Sequence, residues 1–346
     1  MARDTRAAFL RELQRVMPQF ARAFEEAIQA VQSSTQRDLI EAAIQRGAES
    51  RDYQRAVQDV LQILNLDREL FAPLDTTNRN AFETGAAYQL SLLPKRIGNT
   101  APRLVVRFQG RHPRAEAFTR EQGARLITAI TEGARTVVRE TIVEALQQGR
   151  NYRGIARDLI GSPAGNQRKG AVIGLHPRQA QAVRAMRADL TNLDSRYFSR
   201  DRRDKRHDAT VRKAIAEGRQ LSEAQVAKIT GRYADRLLKL RAENIARTET
   251  SRAMNAGRAE AIQQMVDSGR LPEEAITKIW DATPGARTRD SHRALNGKAV
   301  GFVESFVSPV TGASLQHPHD TNAPAEETVN CRCSARFRID YAQLAV

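Results

Sequence analysis

Aromatic side chains are scarce in this chain of 346 residues: they make up 5% of it, with a single Trp. A core without rings is built from Ala, Leu, Ile and Val, a composition that favours long, thin helices over a compact β-core. Cysteine is scarcer still. The two present, Cys331 and Cys333, stand one residue apart. A bridge across that spacing is strained, which argues against a disulfide-stapled secreted fold and for reduced thiols in an intracellular assembly site. No apolar run is long enough to span a bilayer. The start, Met1-Ala2-Arg3-Asp4, lacks the apolar segment of a signal peptide. A soluble protein, or a part of a soluble assembly, is expected. Acidic residues are also short, 40 against 55 Lys and Arg, giving a net charge of +15. A field of that sign attracts polyanions, of which DNA is the commonest. A solvated basic surface, or one facing an acidic protein, has the same composition.

The length allows two domains, or one domain and a helical arm. Three regions are expected: 1–115, helical with a connector; 116–232, helical; and 233–346, a distinct C-terminal module. Over 2–70, Phe9, Leu10, Leu13, Val16, Phe20, Phe24, Ile28 and Val31 recur at three- and four-residue steps. Pro18 is expected to kink or break that run. Leu39, Ile40 and Ile44, then Tyr53, Val57, Val60 and Leu64, continue the pattern, with Gly47 as separator. Residues 71–115 carry four Pro and three Gly and read as a connector, with Arg103-Leu104-Val105-Val106-Arg107-Phe108 as a short strand. Helix returns over 116–160, with Gly149 as a stop and a short helix over 152–160. The loop 161–174 is rich in Gly but has no Gly-Lys-Ser/Thr sequence, so it is a poor phosphate cradle. His176-Pro177 opens a further helix.

Between 196 and 213, Arg200, Arg202, Arg203, Lys205 and Arg206 are interleaved with Asp201, Asp204 and Asp208. They read as a patch that tracks a nucleic-acid backbone, or as a solvated helix face laced with its own salt bridges. Ser222 with Gln225 is a capping-box pair that starts a short helix. A long helix follows over 233–266, in which Gly257 is the weak point. On it Asn244, Arg247, Thr248, Ser251 and Asn255 share one stripe. Small hydrogen-bonding residues around an Arg do not make a core face. The stripe, with Glu249 beside it, is read as a docking face for another element with polar groups in need of partners.

The stretch 280–332 is unlike anything before it. It holds the only Trp and three of the six His. Ile276 to Trp280 reads as a strand, Pro284-Gly285 as a turn, Ser291 to Leu295 as a helical turn, and Asn296-Gly297 as a tight turn. Ala299 to Phe302 and Arg336 to Ile339 alternate as strands do. The fold class expected is mainly α: an extended helical N-terminal body and a small C-terminal α+β module, one long helix packed on a few short strands.

The ordered series Ile245-Ala246-Arg247-Thr248-Glu249-Thr250, Asn255, Trp280, Arg287 and Arg289, His292, Gly297, and Asn330-Cys331-Arg332-Cys333 resembles the phage Mu protein F-like family, the minor head proteins of tailed bacteriophages. The resemblance covers the last third of the chain. It implies a low-copy virion protein that acts in head morphogenesis at the portal or the capsid interior. Its implied partners are the portal or major capsid protein and, non-specifically, packaged double-stranded DNA, with no membrane. The place implied is the virion, and the host cytoplasm during assembly. Trp280, Arg287 and Arg289 join Asn244, Arg247, Thr248, Glu249 and Asn255 as the docking residues of the module. The segment before the Cys pair departs from the pattern: His317-Pro318-His319-Asp320 stands where Pro-Gly-Asp is expected.

Zinc takes four ligands of Cys, His or Asp type in a tetrahedron. Cys331, Cys333 and His292, with His317 as the fourth, are the candidates; His319 and Asp320 compete for that last place. A metal would substitute for a core that the module lacks. No cofactor is demanded by the sequence, and zinc is the one considered. The same residues allow two enzymatic readings: a cysteine nucleophile with His292 and Asn330, or a DNA-acting metal nuclease on His292, Asn296 and His317. The structural reading, a non-enzymatic minor head protein, is preferred. The chain stops soon after Cys333, which leaves no room for an appended toxin.

Overall fold

The computed structural model describes residues 6–94 and 107–344. Its elements run α1 Arg6–Ser34, α2 Arg37–Glu49, α3 Tyr53–Leu64, α4 Ala72–Ser91, α5 Pro113–Gln147, α6 Tyr152–Ile160, β1 Ser162–Ala164, β2 Gln167–Lys169, α7 Pro177–Thr191, α8 Asp208–Ala216 and α9 Glu223–Asp267. The C-terminal part adds β3 Ile276–Asp281, α10 Asp290–Leu295, β4 Ala299–Gly301, β5 Phe306–Val307, β6 Ser314–Leu315, α11 Ala325–Thr328 and β7 Ser334–Ile339. The fold is mainly α with a small α+β module at its C-terminal end, as the periodicity of the sequence implies.

The chain divides into two compact units. One comprises 23–73 and 125–242; the other comprises 1–22, 74–124 and 243–346. In the first, α2 packs on α3 and α6, burying Ile40, Ile44, Val57, Val60 and Ile155. Asp52 caps α3, its side chain accepting the Arg55 N–H at 2.9 Å. Gly47 lies inside α2 rather than between helices. A Cβ on it would stand 2.5 Å from that of Ala56, so the glycine permits close contact with α3. The chain turns later, at 50–52. Asp158 and Glu223 hold Arg187 at 2.8 and 3.0 Å. His176 caps α7 through its ring, with Pro177 next. The Gly-rich loop contains a hairpin, β1 pairing antiparallel with β2, which composition did not reveal.

In the second unit, Phe9, Leu13 and Val16 of α1 pack with Ala81 and Phe82 of α4 and with Ala253 and Met254 of α9. Residues 72–91 are thus a full helix, not a connector. Pro73 sits in its first turn, where no N–H is needed. Gly85 is a contact point, since a Cβ there would overlap the backbone of Met254. Gly257 answers it from α9, a Cβ there overlapping the Phe82 carbonyl. So α9 continues unbroken through Gly257, and it begins at Glu223 rather than near 233. Helix α1 likewise runs through Pro18. Pro18 and Gln14, whose carbonyl loses its partner, are both exposed, so water can satisfy the carbonyl. Most of the strand expected over 103–108 lies outside the described residues, and Arg107 and Phe108 are not in a strand.

The three-stranded sheet has the order β4-β3-β7, all antiparallel. On β3 the buried positions alternate, Ile276, Lys278 and Trp280 pointing inward. Ile276 joins Ile262, Met265 and Phe337 in a cluster that seats the sheet on α9. Trp280 centres a second cluster with Leu295, Phe306, Leu315, Cys331 and Cys333.

A candidate metal centre and the docking face of the long helix

Trp280 is fully buried and meets the His292 ring edge-on at 5.1 Å between centroids. It meets Phe306 in the same way at 5.3 Å. This packing holds His292, carried on α10, against the segment that enters β7. There the His292 Nδ1 lies 3.4 Å from the Cys331 sulfur and 3.5 Å from that of Cys333. The three donor atoms all lie within 4.8 Å of one another. His292 is 1% exposed and each Cys 3%, and both Cys are free thiols. His317 is not in this group. It is also buried, but its Nδ1 faces the Pro318 carbonyl at 3.0 Å.

Behind the imidazole stands Glu327, which no sequence pattern singles out. Its Oε2 lies 2.9 Å from the His292 Nε2 and accepts the Ser291 hydroxyl at 2.9 Å. Its Oε1 accepts the hydroxyls of Ser308 and Thr311, both at 2.6 Å. Burial works against the carboxylate, but these hydroxyl donors hold its pKa below the ordinary range. The carboxylate thus stands at the Nε2 side of the ring, and Nδ1 is the nitrogen that faces the sulfurs. A Glu four residues before the Cys pair on a four-residue helix leaves no pattern in a sequence. The Ser and Thr around it are equally ordinary.

The two sulfurs differ. The hydrogen bond they share raises the Cys331 pKa and lowers that of Cys333. The Cys333 N–H donates to the Cys331 sulfur at 3.3 Å. The arrangement of thiolate, imidazole and carboxylate also matches a nucleophile, its base and the group that orients the base. The difference is access, because all four side chains are closed off from solvent.

The stripe on α9 faces the same loops. Thr248 accepts the Asn330 N–H at 3.0 Å. Arg247 donates to the Asn330 side chain at 3.0 Å and to Asn244 at 3.4 Å. Asn255 lies 3.5 Å from the His319 Nδ1, and the His319 Nε2 lies 3.0 Å from the Cys331 carbonyl. Burial holds the His319 ring neutral, its pKa lowered to about 3. Glu249 is buried against Arg252 at 2.7 Å; burial raises its pKa in spite of that partner. Arg289 donates to the Val329 carbonyl. Arg287 is exposed, and no hydrogen bond or ion pair involves its side chain among the described residues.

The basic run is less free than its composition suggests. Arg200 pairs with Asp189, Arg203 with Asp208 and Arg206 with Asp204. Arg202 and Lys205 are exposed and have no ion-pair partner among the described residues. The segment is built of short 3-10 turns, Ser195–Ser199 and Lys205–His207, leading into α8. It is not one long helix face.

Residues 206–336 match the family described as phage Mu protein F like protein. Over 129 residues the chain is 33% identical to the minor head protein GP7 of Bacillus phage SPP1, a match that covers 37% of this chain and 39% of that relative. No solved structure matches the chain. The family match takes in α8, α9 and the module up to β7, the same elements that carry the stripe, the Trp280 cluster and the Cys pair. The C-terminal third of this protein is thus similar to the phage Mu protein F-like family, and the chain spans about two fifths of the length of the relative it matches.

Proposed function

We propose that this protein is a structural minor head protein of a tailed bacteriophage, which acts in head morphogenesis at the portal or on the inner capsid wall. The observation that carries the reading is the coincidence of the family match with a module whose polar groups are turned inward. Its His, Cys and Glu side chains are buried, and its loops are hydrogen-bonded to α9. Such a module is suited to holding a shape rather than to turning over a substrate. The portal or major capsid protein is the partner, and the virion is the place of residence. The net charge of +15 neutralises part of the packaged DNA, held by contacts without sequence preference. The His292, Cys331 and Cys333 cluster serves the architecture of the module, with zinc as the ion it would take.

The test is biochemical. Mass spectrometry of purified proheads and virions is expected to find this chain at low copy, and immobilised portal protein is expected to retain it. Absence from both particles overturns the assignment. Catalysis has its own test. A nuclease would cleave DNA in the presence of Mg²⁺ or Zn²⁺ and lose that activity on His292→Ala. No such cleavage is expected.

A further inference from the structure

We propose that His292 Nδ1, Cys331 Sγ and Cys333 Sγ coordinate one zinc ion, and that this ion fixes the turn by which the module grips α9. The inference rests on the reading of the cluster as architectural.

The first argument is the shape of the donor triangle. With metal–nitrogen bonds of about 2.0–2.1 Å and metal–sulfur bonds of about 2.3 Å, the N···S edge of a zinc tetrahedron is about 3.5 Å. The two N···S separations here are 3.4 and 3.5 Å. A thiol–imidazole hydrogen bond explains only one of them. In either tautomer Nδ1 carries one proton or one lone pair, so it makes one such hydrogen bond at a time. Two sulfurs converging on that one nitrogen, at 3.4 and 3.5 Å, are the geometry of donors around a cation.

The second argument is what surrounds the donors. The Cys331 sulfur accepts the Cys333 backbone N–H at 3.3 Å, which turns both sulfurs to the same side as His292. A carboxylate behind the outer nitrogen of a ligating His is the usual outer partner of a metal-bound imidazole, fixing its tautomer and orientation. Glu327 occupies that place and is itself held by three hydroxyls. No fourth side-chain donor joins the three among the described residues, which leaves one corner for water or another small ligand.

The third argument is connectivity. His292 sits on α10, whereas Cys331 and Cys333 lie between α11 and β7, with no strand pairing α10 to them. An ion would join them directly. Asn330, next to Cys331, holds a left-handed backbone conformation at φ 58° and makes the contacts to Thr248 and Arg247. The Cys331 carbonyl meets His319. Fixing the Cys331 sulfur therefore fixes the residues through which the loop meets the helix stripe.

Full-length protein purified without chelator is expected to carry about one zinc per chain by elemental analysis. Cobalt(II) replacing it should give the thiolate charge-transfer and intense visible bands of a tetrahedral site. Cys331→Ser and Cys333→Ser should each lose the metal. Glu327→Gln should retain it with affinity lowered about 10–100-fold, which keeps the test informative if the Cys variants fold poorly. Metal removal should speed hydrogen exchange at Asn330, whose N–H is bound to Thr248. Protein that is metal-free as isolated and gives no thiolate–cobalt absorption on titration overturns the site. A Cys331–Cys333 disulfide found in the metal-free chain does the same. Unchanged exchange at Asn330 after metal removal overturns the coupling to the helix. These measurements use isolated protein, so their failure is distinct from absence of the chain from virions.

Discussion

Lys278 is the residue whose position is hardest to reconcile with its chemistry. It lies on the inward face of β3 between Ile276 and Trp280 and is 2% exposed. Among the described residues its ammonium has one hydrogen-bond acceptor, the Gln316 side chain at 2.7 Å, and it stands 6.0 and 5.8 Å from the ring centroids of Phe302 and Phe306. Burial pushes its pKa from 10.5 down to about 8. The consequence for stability has a definite sign. Below about pH 8 both folded and unfolded chains hold the proton and stability does not change through this group. Between that value and 10.5 only the unfolded chain holds it, so stability rises with pH across the window. Lys278→Met should abolish the rise and stabilise the protein at pH 7 by on the order of 2–3 kcal/mol. Denaturant titrations of both proteins at neutral and alkaline pH check this, because titrations common to the two cancel in the difference. Equal pH slopes in wild type and variant would contradict it. The burial was legible in principle: the alternation Ile276, Lys278, Trp280 puts Lys on the same face as the Trp.

At the scale of elements, the informative glycines are those that bring helices together. Gly85 and Gly257 let α4 and α9 touch backbone to backbone, whereas a Cβ at Gly133 in α5 would have 3.6 Å to its nearest neighbour. Gly257→Ala should therefore destabilise the protein by about 1–3 kcal/mol through overpacking. Gly133→Ala should stabilise it by about 0.5–1 kcal/mol through helix propensity and unfolded-state entropy. Thermal midpoints moving in the same direction for both variants would refute the distinction. The same glycines explain what a sequence reading loses. Periodicity identifies α1, α2 and α3, and alternation finds β3, β4 and β7, because those signals are local. Helix α4 was hidden because Pro73 and Gly85 read as breakers; only contact with α9 shows why Gly85 is there. Residue type singles out His292 and the Cys pair, but 39 positions separate His292 from Cys331. No spacing rule spans that gap, nor does any pattern pick out Glu327, which is held by the side chains of two other segments, α10 and the turn between β5 and β6.

For the whole molecule, the question is where a net charge of +15 is available to a polyanion. Within the basic run, most arginines are already engaged. Arg203 binds Asp208 at 2.9 Å and lies about 6 Å from the Tyr197 and Phe198 rings; Arg206 binds Asp204 at 2.6 Å. An arginine held by a carboxylate must lose that partner before it neutralises a phosphate, so its contribution to DNA binding is small and its contribution to local structure is larger. Arg202 and Lys205, exposed and without such a partner among the described residues, are free to displace counterions from DNA. If this surface meets DNA, Arg202→Ala and Lys205→Ala should each reduce the slope of log K against log salt by about 1, with no loss of thermal stability. Arg203→Ala should change the slope little and lower the melting midpoint instead. The effect should be the same for duplexes of unrelated sequence, since phosphate contacts carry no base information. Fluorescence-anisotropy titrations across a salt series separate the outcomes. Slopes unchanged by either exposed-residue variant would move the DNA contact elsewhere on the protein. Affinity independent of salt would remove the polyanion reading of the charge altogether.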